Sequence, residues 1–206
     1  MTLLDRCPVV PVVVLDDPDQ AVPLGEALLA GGISVAEITL RTEAGLESIR
    51  RLADLPGLLV GAGSVLVPSQ VDDVVKAGAR FVVSPGLSVD VVRRSQELDV
   101  TPLPGTATAS DLMAASALGL AEVKFFPAGL LGGPAAIRAL AAPFTRMRFL
   151  PSGGVKPENM ADYLAVPAVP AVSGSWMVEP ALLRGKEWDE VTARAAAAIE
   201  RANVSR

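Results

Sequence analysis

Short aliphatic runs recur along the chain about every 20 to 25 residues, each followed by a stretch with helical character, the signature of repeated βα units. Eight runs, at residues 9–15, 35–40, 58–61, 80–84, 101–103, 122–126, 147–150 and 168–172, predict strands. The stretches 19–30, 44–53, 69–77, 89–97, 109–118, 135–140 and 158–164 predict helices between them. Residues 188–202, rich in alanine, predict a last helix that completes the outer layer. Eight such units predict an α/β fold, a (β/α)8 barrel of the TIM type, with a doubly wound open sheet as the structural rival. No linker or low-complexity tract interrupts the alternation, so residues 1–206 read as one domain.

Polar residues inside these runs are the exceptions that carry information. AEVKFFPA, at residues 121–128, holds a lysine where a buried strand is expected. An ammonium taken out of water is costly unless it is paired or gives up its proton, and the free amine attacks carbonyls. Lys124 is therefore a candidate Schiff-base nucleophile; the competing reading is a long stem that snorkels from a strand end to the surface. Side chains alternate along a strand, which sets Glu122, Lys124 and Phe126 on one side and Val123 and Phe125 on the other.

In VAEITLR, at residues 35–41, the same alternation gives Ala36, Ile38 and Leu40 one apolar face and Glu37, Thr39 and Arg41 the opposite one. Apolar faces of barrel strands pack on the outer helices, so the polar set is expected to point inward. A structural Glu37–Arg41 pair on a wet edge strand is the alternative. Together, Lys124, Glu37 and Arg41 form a coherent set of nucleophile, proton shuttle and carboxylate clamp.

Glycine-rich turns follow several runs. PSGGVKPEN, at residues 151–159, and GSW, at residues 174–176, fall after the seventh and eighth strands, where barrels commonly bind phosphate through backbone N–H groups. Ser152, Gly153, Gly154, Gly174 and Ser175 are the expected cradle. GAGSV offers the Ser64 hydroxyl at a strand end; SPG and PGTAT place Pro85, Gly105 and Thr106 at the same mouth, and Phe126 shares the face of Lys124. Singly, such segments are more often ordinary turns. Trp176, Trp188 and Tyr163 carry no motif and read as packing residues.

Composition narrows the chemistry. The chain has no histidine, which removes Ser-His-Asp and Cys-His nucleophile systems, His-ligated zinc and imidazole acid/base catalysis. Cys7 is the only cysteine, so an intrachain disulfide and a thiolate metal cluster are excluded. A formal charge of −5 argues against a nucleic-acid partner. No nucleotide-binding glycine signature follows a strand. The apolar opening lacks a basic leader region and is too short to span a bilayer, so the protein reads as soluble and cytoplasmic, with no membrane partner.

The ordered series AEITLRT, VGAGSVL, SPGL, VKFFPA, PSGGV and SGSW resembles class I 2-keto-3-deoxy-6-phosphogluconate (KDPG) aldolases, also described as 2-keto-4-hydroxyglutarate (KHG) aldolases. The resemblance implies a homotrimer of (β/α)8 barrels acting on a keto-acid phosphate. It makes Lys124 the Schiff-base residue, Glu37 the acid/base, and Arg41 with Ser64 the binding groups for the pyruvyl carboxylate. It implies cleavage to pyruvate and glyceraldehyde 3-phosphate in the Entner-Doudoroff pathway, with no metal and no cofactor. The chain departs from the usual pattern in reading GAGSV for GAGTV and PSGG for PTGG, and in carrying Gly129 where relatives often have glutamate. The related 6-phosphogalactonate aldolases usually read EIPLNS, which favours the gluconate substrate here. A sugar-phosphate epimerase without covalent chemistry and a non-catalytic phosphate-ligand binding protein are the rivals from other classes.

Overall fold

A computed structural model describes residues 2–204. Its strands are β1 (Val9–Val13), β2 (Val35–Thr39), β3 (Leu59–Gly63), β4 (Phe81–Ser84), β5 (Thr101–Thr106), β6 (Glu122–Phe125), β7 (Arg148–Pro151) and β8 (Val172–Gly174). The helices are α1 (Ala21–Ala30), α2 (Ala44–Leu52), α3 (Pro68–Lys76), α4 (Val89–Glu97), α5 (Ala109–Ala117), α6 (Gly133–Ala141), α7 (Met160–Leu164), α8 (Pro180–Gly185) and α9 (Trp188–Val204). All strand pairs are parallel, in the order β7-β6-β5-β4-β3-β2-β1-β8. Across the remaining seam the Phe149 N–H donates to the Ala168 carbonyl at 2.8 Å, which nearly closes a (β/α)8 barrel. The open-sheet alternative is thereby set aside.

Strands covered on both sides bury every residue, and β1, β2, β4 and β6 do so throughout. The helices turn aliphatic stripes to the sheet: α2 buries Ile49 and Leu52, and α4 buries Val91 and Val92. Each such side chain contributes roughly 1.5–3 kcal/mol on burial. Starts are locally encoded. Ser88 accepts from the Val91 N–H at 3.4 Å before α4, and Thr108 with Asp111 forms a reciprocal capping box before α5. Asp111 accepts from both the Ala107 and Thr108 N–H groups at 2.9 Å. Burial pushes the Asp111 carboxyl up, but these donors outweigh it and hold the group below its ordinary range.

The lower end of the barrel is tied by ions. Arg148 bonds Asp5 and lies 3.2 Å from Glu122 Oε1, and Thr2 accepts from Arg148 at 2.8 Å. The hydrogen bond from Arg148 is the main cause that holds the Asp5 carboxyl far below its usual value.

Several boundaries differ from the sequence expectation for physical reasons. The eighth strand, expected at 168–172, lies at Val172–Gly174, because Pro167 and Pro170 lack the N–H groups a ladder needs. The fifth, expected to stop at Leu103, runs on to Thr106, so Gly105 and Thr106 are strand residues with register partners on β6. The third extends through Gly63. The helix α8 was not expected at all: its six residues, PALLRG, are too few to reveal a helical period.

Candidate active site

Glu37 sits in the middle of β2, opposite Val12 of β1 and Gly61 of β3. Lys124 sits in β6, opposite Gly105 of β5 and Leu150 of β7. Both side chains turn into the lumen. Lys124 is 4% exposed and Glu37 is fully buried, and Lys124 Nζ donates to Glu37 Oε1 at 3.4 Å. Glu37 Oε2 is buried with no hydrogen-bond partner among the described residues, so the carboxylate keeps an acceptor in reserve. Snorkelling of Lys124 to the surface is overturned by this geometry.

Phe126 lies just above, its ring centroid 5.2 Å from Lys124 Nζ, within range of a cation–π contact. Threonine hydroxyls brace the strands: Thr106 donates to the Lys124 carbonyl at 3.0 Å, and Thr39 to the Val13 carbonyl at 2.9 Å. Thr106 is therefore occupied from below as well as placed near the mouth. Sequence reasoning had put Thr39 on the inward face but missed these cross-strand bonds, whose only signal is a β-branched hydroxyl in an apolar run.

Arg41 lies beyond the end of β2, and its Nε donates to Ser64 Oγ at 3.1 Å, at the end of β3. The alternative of a structural Glu37–Arg41 pair does not form; Arg41 engages Ser64 and leaves Glu37 to Lys124. Ser64 adopts φ of 60°, a left-handed backbone that aims its hydroxyl toward Arg41. Pro85 is exposed at the mouth, and its carbonyl approaches Gly105 so closely that a Cβ there would lie 2.1 Å from it. Gly105 thus lets the loop after β4 settle over the strand next to Lys124.

On the adjoining side, the loops after β6 and β7 zip together. Ala128 N–H donates to the Ser152 carbonyl and Gly129 N–H to the Gly153 carbonyl, both at 2.8 Å. The Ser152 N–H donates to Phe125, so its backbone belongs to this ladder. Gly153 and Gly154 have φ of 84° and 85°, and their N–H groups make no backbone hydrogen bond among the described residues. The same holds for the Ser175 N–H. Gly174 lies beneath Trp176, where a Cβ would meet the indole at 1.9 Å. Gly129 packs on this turn: a Cβ on it would sit 3.3 Å from Gly154 Cα. A groove of about 980 Å3 opens from this turn toward α9, lined by Gly154, Lys156, Glu158, Ser175, Glu179 and Arg194, and neither Lys124 nor Glu37 lines it. Arg194, which sequence reasoning passed over, reaches from α9 to the Trp176 carbonyl at 3.0 Å.

Among the described residues, no group of His, Cys, Asp or Glu side chains is arranged to hold a metal ion, and no helix is long and apolar enough to cross a membrane. A lysine and a carboxylate facing one another inside a (β/α)8 barrel, beneath loops with open N–H donors, define a barrel enzyme equipped for carbonyl chemistry on an anionic substrate. The family model for KDPG and KHG aldolases matches residues 2–194. The chain is 43% identical to the KHG/KDPG aldolase of Escherichia coli K12 over 98% of its own length and 96% of the relative's. It is 44% identical to the 2-dehydro-3-deoxy-phosphogluconate aldolase of Dickeya dadantii, over 96% and 93% of the two chains. The KDPG aldolase of Legionella pneumophila, solved with pyruvate captured as a covalent carbinolamine, superposes with a TM-score of 0.92 at 38% identity over 95% and 96% of the chains. This chain belongs to the KDPG and KHG aldolase family.

Proposed function

We propose that the protein is a Schiff-base aldolase that cleaves KDPG to pyruvate and glyceraldehyde 3-phosphate, with Lys124 as nucleophile and Glu37 as acid/base. The observation that carries this reading is the buried contact between Lys124 Nζ and Glu37 Oε1. The free amine of Lys124 attacks C2 of the keto acid, and the carbinolamine loses water to form an iminium. Glu37 then takes the proton of the C4 hydroxyl, the C3–C4 bond breaks, and its electron pair flows into the iminium to give an enamine. The aldehyde departs. Protonation of the enamine carbon by Glu37 and hydrolysis return pyruvate and the free lysine.

Arg41, steadied by Ser64, holds the substrate carboxylate in this scheme, a role suited to a planar guanidinium. The open N–H groups of Gly153, Gly154 and Ser175, with Gly174 and Ser152 shaping the loops around them, receive the phosphate. Pro85, Gly105 and Phe126 line the approach. The same machinery serves KHG, giving pyruvate and glyoxylate, in keeping with the double name of the Escherichia coli relative. A cytoplasmic homotrimer in the Entner-Doudoroff pathway completes the reading. Exposed Leu66, Val67 and Met113 supply apolar surface for association, and light scattering measures the state directly.

Borohydride reduction in the presence of pyruvate tests the central claim. Mass spectrometry is expected to find the reduced pyruvyl adduct on the peptide containing Lys124. No adduct, or an adduct on another lysine, would overturn it. A non-covalent epimerase or a binding protein predicts no adduct at all.

A further inference from the structure

The carboxylate of Glu37 reaches Lys124 by standing over the lumen face of β3 where that strand carries only glycines. Gly61 and Gly63 share the lumen face of β3, two residues apart. Gly61 is directly opposite Glu37, and its missing side chain is already replaced by the Phe81 ring, which a Cβ would meet at 2.4 Å. Gly63 lies one step nearer the mouth, opposite Thr39. A Cβ on Gly63 would lie 2.2 Å from Glu37 Oε1, 2.7 Å from its Cγ and 2.8 Å from its Cδ. These are its three nearest atoms, so the conflict falls on the one side chain that faces Lys124. The Gly63 backbone lies outside the positive-φ region, so alanine fits the main chain there and the space is the sole constraint.

We infer that Gly63 is a positioning residue for the proton-transfer step: its lack of a side chain is what allows the Glu37 carboxylate to stand beside the amine. This rests on the reading of Glu37 as the acid/base. The oxygen of Glu37 that a Cβ would strike hardest is the one that accepts from Lys124 Nζ. Displacing a catalytic group by about 1 Å is enough to lower the rate roughly a hundredfold. The lysine itself is untouched by the substitution, so adduct formation and proton transfer respond differently.

Exchange of the pyruvate methyl protons into deuterium oxide, followed by NMR, reads Schiff-base formation together with the proton transfers that make and reprotonate the enamine. Borohydride trapping reads the lysine. The experiment is a cycle of Gly63→Ala, Glu37→Ala and the double variant, with thermal unfolding measured on each. Gly63→Ala is expected to lower exchange about a hundredfold while the adduct on Lys124 still forms. In the Glu37→Ala background, Gly63→Ala is expected to cost no further exchange, and its effect on the melting temperature is expected to shrink, since the atoms it strikes are gone. A Gly63→Ala chain that fails to fold while the double variant folds supports the same coupling. Exchange lost in Glu37→Ala but kept in Gly63→Ala would overturn the role of Gly63 alone, as would equal losses of exchange in both backgrounds. Exchange that survives Glu37→Ala would overturn the assignment of Glu37 instead.

Discussion

Lys124 and Glu37 meet at 3.4 Å although 87 residues of sequence separate them and their strands are opposite staves of the barrel. β3, β4 and β5 lie between β2 and β6 on one side, and β1, β8 and β7 on the other. The lumen is bridged only because both side chains are long. Two expectations follow for Glu37. Glu37→Asp keeps the carboxylate but withdraws it by one methylene, and Glu37→Gln keeps the reach but loses the proton acceptor. Both are expected to lower kcat/KM by about two orders of magnitude or more, the usual contribution of a placed acid/base group. Steady-state cleavage of KDPG checks this, and activity within a few-fold of the parent in either variant would contradict it.

Arg41 and Ser64 give a second prediction, because their 3.1 Å hydrogen bond fixes a guanidinium that has no carboxylate partner among the described residues. Arg41→Lys keeps the charge but loses the planar fork, so KM for KDPG is expected to rise about tenfold or more, the worth of one charge-assisted hydrogen bond, with a smaller change in kcat. Ser64→Gly removes the hydroxyl and at the same time relieves a left-handed backbone at φ of 60°. It is expected to raise KM without lowering the melting temperature. A drop in stability with unchanged KM would show that Ser64 only shapes the turn.

Much of this was legible in the sequence because the barrel imposes two simple rules. Strands covered on both faces must be aliphatic, so Lys124 and Glu37 stood out as the polar residues that needed a partner, and alternation set their direction. What stayed hidden depends on surfaces meeting in space. The end of β8 moved because prolines on its approach remove ladder donors, although Ala168 still accepts from Phe149. Gly105 read as a turn glycine, yet it is a strand residue under the Pro85 carbonyl. Gly129 read as a departure of unknown effect; the structure places it against Gly154, where its small size suits the contact. None of these approaches leaves a periodic mark along the chain.

The turn at Gly153 and Gly154 supports a third prediction, one that separates the phosphorylated from the non-phosphorylated substrate. A Cβ on Gly154 would lie 3.1 Å from Gly129 Cα, and its φ of 85° disfavours any other residue. Gly154→Ala is expected to cost about 1–2 kcal/mol of stability from the left-handed backbone. By shifting the open N–H groups, it is also expected to raise KM for KDPG while leaving KM for KHG, which has no phosphate, nearly unchanged. Paired steady-state measurements on the two substrates decide the matter. An equal rise for both would place the phosphate elsewhere.

Asp111 supplies a prediction about pH. Its carboxylate accepts from the Ala107 and Thr108 N–H groups at the start of α5, directly after the strand that braces Lys124, and these donors hold its folded pKa below the ordinary carboxylate value. A carboxyl depressed by folding stabilises the native state fully above its unfolded pKa, and that contribution disappears as pH falls through the folded value. Asp111→Asn is therefore expected to destabilise the protein by about 1 kcal/mol at pH 7, the usual worth of a cap. The difference between parent and variant is expected to narrow below about pH 4, where the carboxyl of the unfolded parent begins to take up its proton while the folded one still resists it. Urea unfolding at pH 7 and pH 3 measures both differences. A gap that is the same at the two pH values would mean that the ionised carboxylate is not what holds the first turn of α5.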